Sequence, residues 1–189
     1  MSNNSQPKTP LVTNIFTADP SAHVFDGKIY IYPSHDIPYD GEDNDNGDEY
    51  RMEDYHILSL DDITAPCVDN GEALHLKDIP WASKQLWAPD AIERNGTYYL
   101  FFPARDMDGI FRIGVATSSS PVGPFKAEAN YIQGSYSIDP AVFEDDDKKA
   151  YVYFGGLWGG QLEKWQTGSF DENGVGPALD MPAIGPRVA

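Results

Sequence analysis

The chain has 189 residues, 41% of them hydrophobic and 13% aromatic, which is enough to build one domain with a core and excludes a disordered polymer. A formal net charge of -17 excludes nucleic acid as a partner, because a phosphate backbone would be repelled instead of releasing counterions to basic side chains. A single cysteine, Cys67, excludes an internal disulfide and a cysteine-built metal cluster, and no apolar run reaches membrane-spanning length.

Met1 to Lys8 is polar and has no signal-type apolar segment, so residues 1–13 read as a flexible lead-in to a soluble domain over 14–189. Ser21 to Phe25 and Lys28 to Tyr32 are short apolar runs joined by Asp26-Gly27, a dipeptide suited to the positive φ angles of a type I′ hairpin turn. A polar loop from Pro33 to about Glu53 follows, then the runs Tyr55 to Leu60 and, past Asp69-Asn70-Gly71, Ala73 to Leu76. A second unit repeats the plan: Asn95-Gly96 is its turn, with strands expected at Thr97 to Phe102, Gly109 to Ser118 and, more weakly, Phe125 to Ala127. A third has Asp145 to Lys149 at its turn, then Ala150 to Phe154 and Gln161 to Trp165, and fades into a segment rich in glycine and proline.

Gly (17) and Pro (15) interrupt the apolar runs throughout, and no long stretch shows helical spacing, so the fold is expected to be all-β. Tyr98-Tyr99-Leu100-Phe101-Phe102 and Tyr151-Val152-Tyr153-Phe154 are apolar on both faces, unlike a strand with one wet side. Four-stranded antiparallel meanders stacked around an axis cover both faces, and that is a β-propeller. A sandwich or jelly roll is the alternative at this point. The units would be blade 1 at about 14–80, blade 2 at about 87–130 and an incomplete blade 3 at about 136–189. Two and a half blades do not close a ring, so the chain reads as the N-terminal part of a larger propeller domain.

Equivalent positions in successive blades are related by rotation about the axis, so acids that open each innermost strand converge on one end of the channel. Asp19 and Asp139 are such a pair, each before a proline. Two converging carboxylates with separate roles suit glycosidic-bond hydrolysis, although Asp-Pro is also an ordinary turn.

Asp19-Pro20-Ser21, Trp87-Ala88-Pro89-Asp90 and Ile138-Asp139-Pro140-Ala141-Val142-Phe143, in this order and each before a hairpin, resemble glycoside hydrolase family 43. That family consists of five-bladed propellers and includes β-xylosidases, α-L-arabinofuranosidases and arabinanases. The resemblance covers most of residues 14–165. It implies single-displacement hydrolysis with inversion on xylo- or arabino-oligosaccharides, with Asp19 as the general base, ionised at neutral pH as aspartates ordinarily are. Asp139 would orient the general acid and raise its pKa by like-charge proximity. The acid itself, a glutamate of a later blade, has no match here: Glu163 and Glu172 are the last glutamates, and neither opens a strand. The expectation is that it lies beyond Ala189, in a C-terminal part of the propeller, and that residues 1–189 alone are inactive.

Strand two of each blade returns to the Asp19 face, which places Pro33-Ser34-His35-Asp36, Pro103-Ala104-Arg105-Asp106 and Gly155-Gly156-Leu157-Trp158 beside the site. His35, Asp36 and Arg105 are therefore candidate sugar contacts, with loop-closing bonds as the competing role. Trp87 and Trp158 would offer a sugar an apolar ring face, whereas Trp81 and Trp165 read as packing. Asp90 reads as a structural acceptor. The Asp40 to Glu49 loop opens like a calcium loop but has Asp48 and Asp54 where an EF-hand needs Gly and Glu, so it is expected to be a solvated rim. No cofactor is required; the resemblance allows a His-associated calcium in the channel. His23, His56 and His75 read as strand residues without a visible partner. The competing functional readings are a non-catalytic sugar-binding propeller and a protein-interaction propeller.

Overall fold

The computed structural model describes residues 9–44, 46–175 and 187–188, and it forms three antiparallel sheets. The first is a four-stranded meander of β1 (Phe16–Phe25), β2 (Lys28–Asp36), β3 (Asp54–Leu60) and β4 (Val68–His75). Asp26 and Gly27 have φ values of 50° and 78°, the two positive angles that their hairpin turn needs. Both β1 and β2 run further toward the loop end than the apolar runs predict. There Phe16 to Ala18 pairs with Ser34 to Asp36, and the Ser34 hydroxyl also donates to Ala18 O at 3.1 Å.

The second sheet holds β5 (Ala82–Lys84), β6 (Asp90–Arg94), β7 (Thr97–Asp106), β8 (Phe111–Ser118) and β9 (Lys126–Ala127). β7 is long enough to pair with β6 along one part of its edge and with β5 along the rest, so β5 extends this inner edge toward the cavity end. The third sheet pairs β10 (Ala141–Glu144) with β11 (Ala150–Phe154) and then β12 (Arg187–Val188). β6 touches both β1 and β10, so the first strands of the three units meet along one line, as the innermost strands of successive blades do.

Side-chain alternation along β7 explains its doubly apolar sequence. Tyr98, Leu100, Phe102 and Ala104 enter the core shared with blade 1, alongside Tyr32, Tyr55 and Ile57. Phe101 turns to the other face and packs on the blade 3 core of Val142, Val152, Phe154 and Trp165. Trp81 stacks on Phe102 at 5.9 Å and Trp165 on Tyr136 at 4.4 Å, so both are packing residues.

Two local expectations are corrected. Gln161 to Trp165 is not a strand: Leu162–Trp165 is a 3-10 turn that follows another at Trp158–Gly160, and β12 takes the place beside β11. Short apolar runs do not distinguish these states, and Gln161 in the left-handed region (φ 67°) prevents an extended path. Asn70-Gly71 is a bulged stretch inside β4 instead of a turn before it, with Gly71 at φ 85° and Asn70 donating to the Ile57 carbonyl. The glycine- and proline-rich stretch 176–186 lies outside the described residues. Among the described residues no helix is long and apolar enough to cross a membrane.

Candidate active site

A cavity of about 590 Å³ opens at the end of the three sheets where β1, β2 and the segment before β10 converge. Asp19, Asp36, Trp87, Asp139 and Trp158 line it, which brings together five of the seven residues singled out from sequence. Each is placed by a local device.

Asp19 sits in a bulge. Ala18 pairs with Ser34 and Ser21 with Tyr32, so β1 carries one more residue than β2 between these pairs. That extra residue bends the strand and leaves Asp19 at φ 44°, a region rare for a residue with a side chain and one that re-aims its carboxylate. Asp139 has the same feature, φ 56°, immediately before Pro140 and the start of β10. Two left-handed aspartates before proline, one in a bulge inside β1 and one just ahead of β10, hold strain of about 1–3 kcal/mol apiece, a cost that clusters at sites where geometry serves function.

The lead-in to Asp139 is fixed by Ser137, fully buried at φ 68°. Its hydroxyl donates to the Gly156 carbonyl at 3.0 Å and accepts the Gly156 N–H at 2.7 Å, while Gly155 N–H donates to Ile138 O. A Cβ on Gly156 would stand 2.5 Å from Ile138 Cγ1, and one on Gly160 2.6 Å from it. Gly156 and Gly160 therefore let the chain pack on Ile138 beside Asp139, and Gly159 and Gly160 line the cavity.

The carboxylates feel one another. Burial first, then the charge of Asp19, push Asp139 up to about 6. Burial first and Asp19 second also raise Asp36, opposed by His35. Asp139 itself remains open to the cavity, crowded by protein on its other sides. Around these acids Trp87, only 9% exposed, and Trp158, 50% exposed and at φ 52°, complete the lining. Carboxylates of differing proton affinity beside aromatic walls suit a polyhydroxylated ligand and acid–base work at a carbon–oxygen bond.

One wall has no local sequence signature. Asn44, Gly47, Glu49 and Tyr50 of the acidic loop line the cavity, so this loop is more than a solvated rim. Blade 2 holds it from a distance: Gln85 Nε2 donates to Gly47 O at 2.6 Å, Trp87 Nε1 to Tyr50 O at 2.8 Å, and Lys84 pairs with Asp48 at 2.8 Å. The loop acid Asp45 lies outside the described residues.

Arg105 belongs to this brace and does not line the cavity. Buried to 4% exposure, it donates to Gln85 Oε1, to Gly109 O and to both Asn46 O and Asn46 Oδ1, and it stacks on Phe111. His35 does not line the cavity either. Ser34 and Asp36 do, and strand alternation turns His35 to the opposite face, where Nδ1 meets Asp54 Oδ1 at 2.6 Å. Asp90 is a structural acceptor: Oδ1 takes bonds from His23 and Ala91 N–H, and Oδ2 takes Val142 N–H. The remaining histidines have partners too, His56 on Asp69 and His75 on Lys77 N–H. Of the late glutamates, Glu163 is buried in a 3-10 turn and Glu172 pairs with Lys164; neither lines the cavity.

A calcium ion takes six to eight oxygen ligands. Among the described residues, the groups of three with ligand atoms within 4.8 Å of one another are His35–Asp54–His56 and Asp54–Glu72–His75, and neither includes a cavity carboxylate.

The glycosyl hydrolases family 43 model matches residues 8–172. Xylosidase/arabinosidase 43A of Humicola insolens is 61% identical over 188 residues, which cover 95% of this chain and 58% of that protein. The crystal structure of a family 43 β-xylosidase/α-arabinofuranosidase from a compost microbial metagenome, in complex with xylotriose and in a calcium-free form, superposes with a TM-score of 0.91. It is 60% identical and the match covers 96% of this chain and 56% of that one. The Xanthomonas citri GH43_1 enzyme complexed with xylotriose superposes with a TM-score of 0.85 at 52% identity, over 96% of this chain and 52% of that one. The chain thus spans a little over half the length of these relatives.

Proposed function

The chain belongs to glycosyl hydrolases family 43, and from that membership we propose that the whole protein removes xylose or arabinofuranose units from hemicellulose-derived oligosaccharides by single-displacement, inverting hydrolysis. The observation that carries this reading is the cavity itself, where Asp19, Asp36 and Asp139 share one space with Trp87 and Trp158.

In this reading Asp19, re-aimed by its bulge and open to solvent, takes the proton from the attacking water. Asp139 does not itself donate to the leaving oxygen. Its task is to orient the proton donor and, by like charge, to keep that donor protonated; burial first and the charge of Asp19 second raise its own proton affinity. Trp87 and Trp158 pack on the sugar, and Asp36 accepts from its hydroxyls. The relatives are nearly twice this length, and we assign the proton donor to a glutamate of the remaining blades. Residues 1–189 alone then lack a step worth about 10²- to 10⁴-fold and the far wall of the site, and are inactive.

The test is Asp19→Asn in the full-length protein. Hydrolysis of aryl β-xyloside and aryl α-L-arabinofuranoside is expected to fall by about 10²- to 10⁴-fold, with xylotriose still binding calorimetrically. NMR of the wild-type products should show the inverted anomer first. Unchanged turnover in the variant removes Asp19 from the base role, and a retained anomer removes the single-displacement mechanism. A wild-type protein that binds xylotriose but cleaves neither glycoside would instead be a sugar-binding propeller.

A further inference from the structure

Strand alternation places a second chemical cluster on the face of blade 1 opposite the cavity. On β2, Ser34 and Asp36 look into the cavity and His35 looks away; on β3, Tyr55 enters the core and donates to Trp87 O, so His56 looks the same way as His35. The two imidazoles stand 5.0 Å apart, and Asp54, the first residue of β3, completes the group.

We propose that His35, Asp54 and His56 bind a transition-metal dication of the zinc class. One ligand atom from each lies within 4.8 Å of the others. Around zinc, with metal–nitrogen and metal–oxygen distances of about 2.0–2.2 Å, neighbouring ligand atoms stand roughly 3.3 Å apart, so side-chain adjustments close the gap. The three residues leave a fourth position for water. The donor set selects the metal: two imidazole nitrogens and one carboxylate suit zinc, cobalt, nickel or copper, whereas calcium and magnesium want oxygens.

The surroundings already hold one ligand ready. His56 Nδ1 sits 2.9 Å from Asp69 Oδ1, the carboxylate–histidine arrangement in which Nδ1 carries the proton and Nε2 keeps its lone pair. Asp69 is in turn fixed by Gly71 N–H at 2.9 Å and Asn14 Nδ2 at 2.7 Å. The adjoining group Asp54–Glu72–His75 lacks this preparation: His75 Nδ1 already accepts Lys77 N–H at 3.1 Å, so its proton sits on Nε2 and no lone pair is free. Without metal, His35 Nδ1–H bonds Asp54 at 2.6 Å; the ion takes the place of that hydrogen, and the imidazole proton moves to Nε2. In residues 1–189 the side chains of His35, Asp54 and His56 are 20%, 16% and 19% exposed. Bound there, the ion would tie β2 to β3 one residue from both Ser34 and Asp36, a structural role that stands independently of the hydrolytic reading.

The test uses chelator-treated full-length protein. Titration with zinc should show one equivalent bound with a rise in melting temperature, and cobalt should give the visible bands of a four- or five-coordinate nitrogen–oxygen site. Excess calcium should not displace either. His35→Asn and His56→Gln should each weaken zinc by more than the roughly 10- to 100-fold expected of Asp69→Asn, and His75→Gln should leave it unchanged. Absence of zinc binding, retention of it in the His35→Asn protein, an oxygen-only cobalt spectrum or displacement by calcium would each overturn the assignment. Should His56→Gln fail to fold, His35→Asn and the wild-type cobalt spectrum still decide it.

Discussion

His23 Nε2 and Asp90 Oδ1 stand 2.6 Å apart across the boundary between the first two blades. The same carboxylate accepts Ala91 N–H at 2.9 Å and, through Oδ2, Val142 N–H at 2.7 Å. His23 lies on β1, Ala91 on β6 and Val142 on β10, so one buried acid ties together the innermost strands of three successive sheets. This explains why the second repeat carries Pro-Asp where the others carry Asp-Pro: its acid has moved off the cavity and into the line where the strands meet.

Asp90→Ala should therefore destabilise the full-length protein by about 3–5 kcal/mol, the range for removing one member of a buried, hydrogen-bonded charged group. Asp90→Asn keeps one acceptor and should cost less, about 1–3 kcal/mol. Urea unfolding followed by tryptophan fluorescence measures both. Equal stability of wild type and Asp90→Ala would contradict the tie.

Asp139 makes stability depend on pH in a direction opposite to that of most carboxylates. Its folded value of about 6 lies above the ordinary 3.8, so the folded state holds the extra proton. Its contribution is fully present below about pH 3.8 and is lost as pH rises through about 6. Because the side chain opens to the cavity, solvent screening keeps the loss to about 1 kcal/mol or less. Asp139→Asn should flatten this part of the profile, and Asp19→Asn should reduce it by removing the second cause of the shift. Denaturation at pH 4 and pH 7 reads the difference; a wild-type profile that rises more steeply than that of Asp139→Asn between these points would contradict the sign.

What could be read from the sequence was whatever obeys the repeat. Asp19 and Asp139 occupy matching places in their units, Asp36 and Trp158 lie at or beyond the second strand of theirs, and rotation about a common axis gathers them with Trp87. Two residues in the same kind of position went elsewhere for reasons of pleat and length. His35 is one residue out of phase with its cavity-facing neighbours. Arg105 lies where β7 runs on to pair with β5, and it is buried beneath a loop from blade 1. That loop was illegible, because its position depends on Gln85, Trp87 and Arg105, which are 37 to 59 residues away and bond its backbone without any periodic pattern.

Gly47 is the tightest point of that loop. It sits at φ 70°, and a Cβ there would stand 2.5 Å from Trp87 Cη2, on a ring already held by its Nε1 bond and by Phe111 at 4.7 Å. Gly47→Ala should cost about 1–3 kcal/mol from crowding and a further 1–2 kcal/mol from the left-handed backbone. The loop can relieve this by detaching, so the readout is local. Tryptic cleavage after the exposed Arg51 should accelerate by about tenfold for each 1.4 kcal/mol, well before global unfolding. Unchanged cleavage would show that Trp87 yields.

Arg105→Met separates the brace from a direct sugar contact. The substitution keeps apolar bulk against Phe111 but leaves Asn46 O, Gly109 O and Gln85 Oε1 without their donor, each worth about 1–3 kcal/mol when buried. A brace predicts faster hydrogen exchange at the Gly47 and Tyr50 amides, which close the turns of the loop, together with a raised KM and a kcat that falls less. A direct contact made only in the transition state predicts a lower kcat with loop exchange unchanged. Restoring charge alone with Arg105→Lys should recover little in either quantity. The brace requires one group to reach Gln85, Gly109 and Asn46 at once, a planar fork that a single ammonium does not replace.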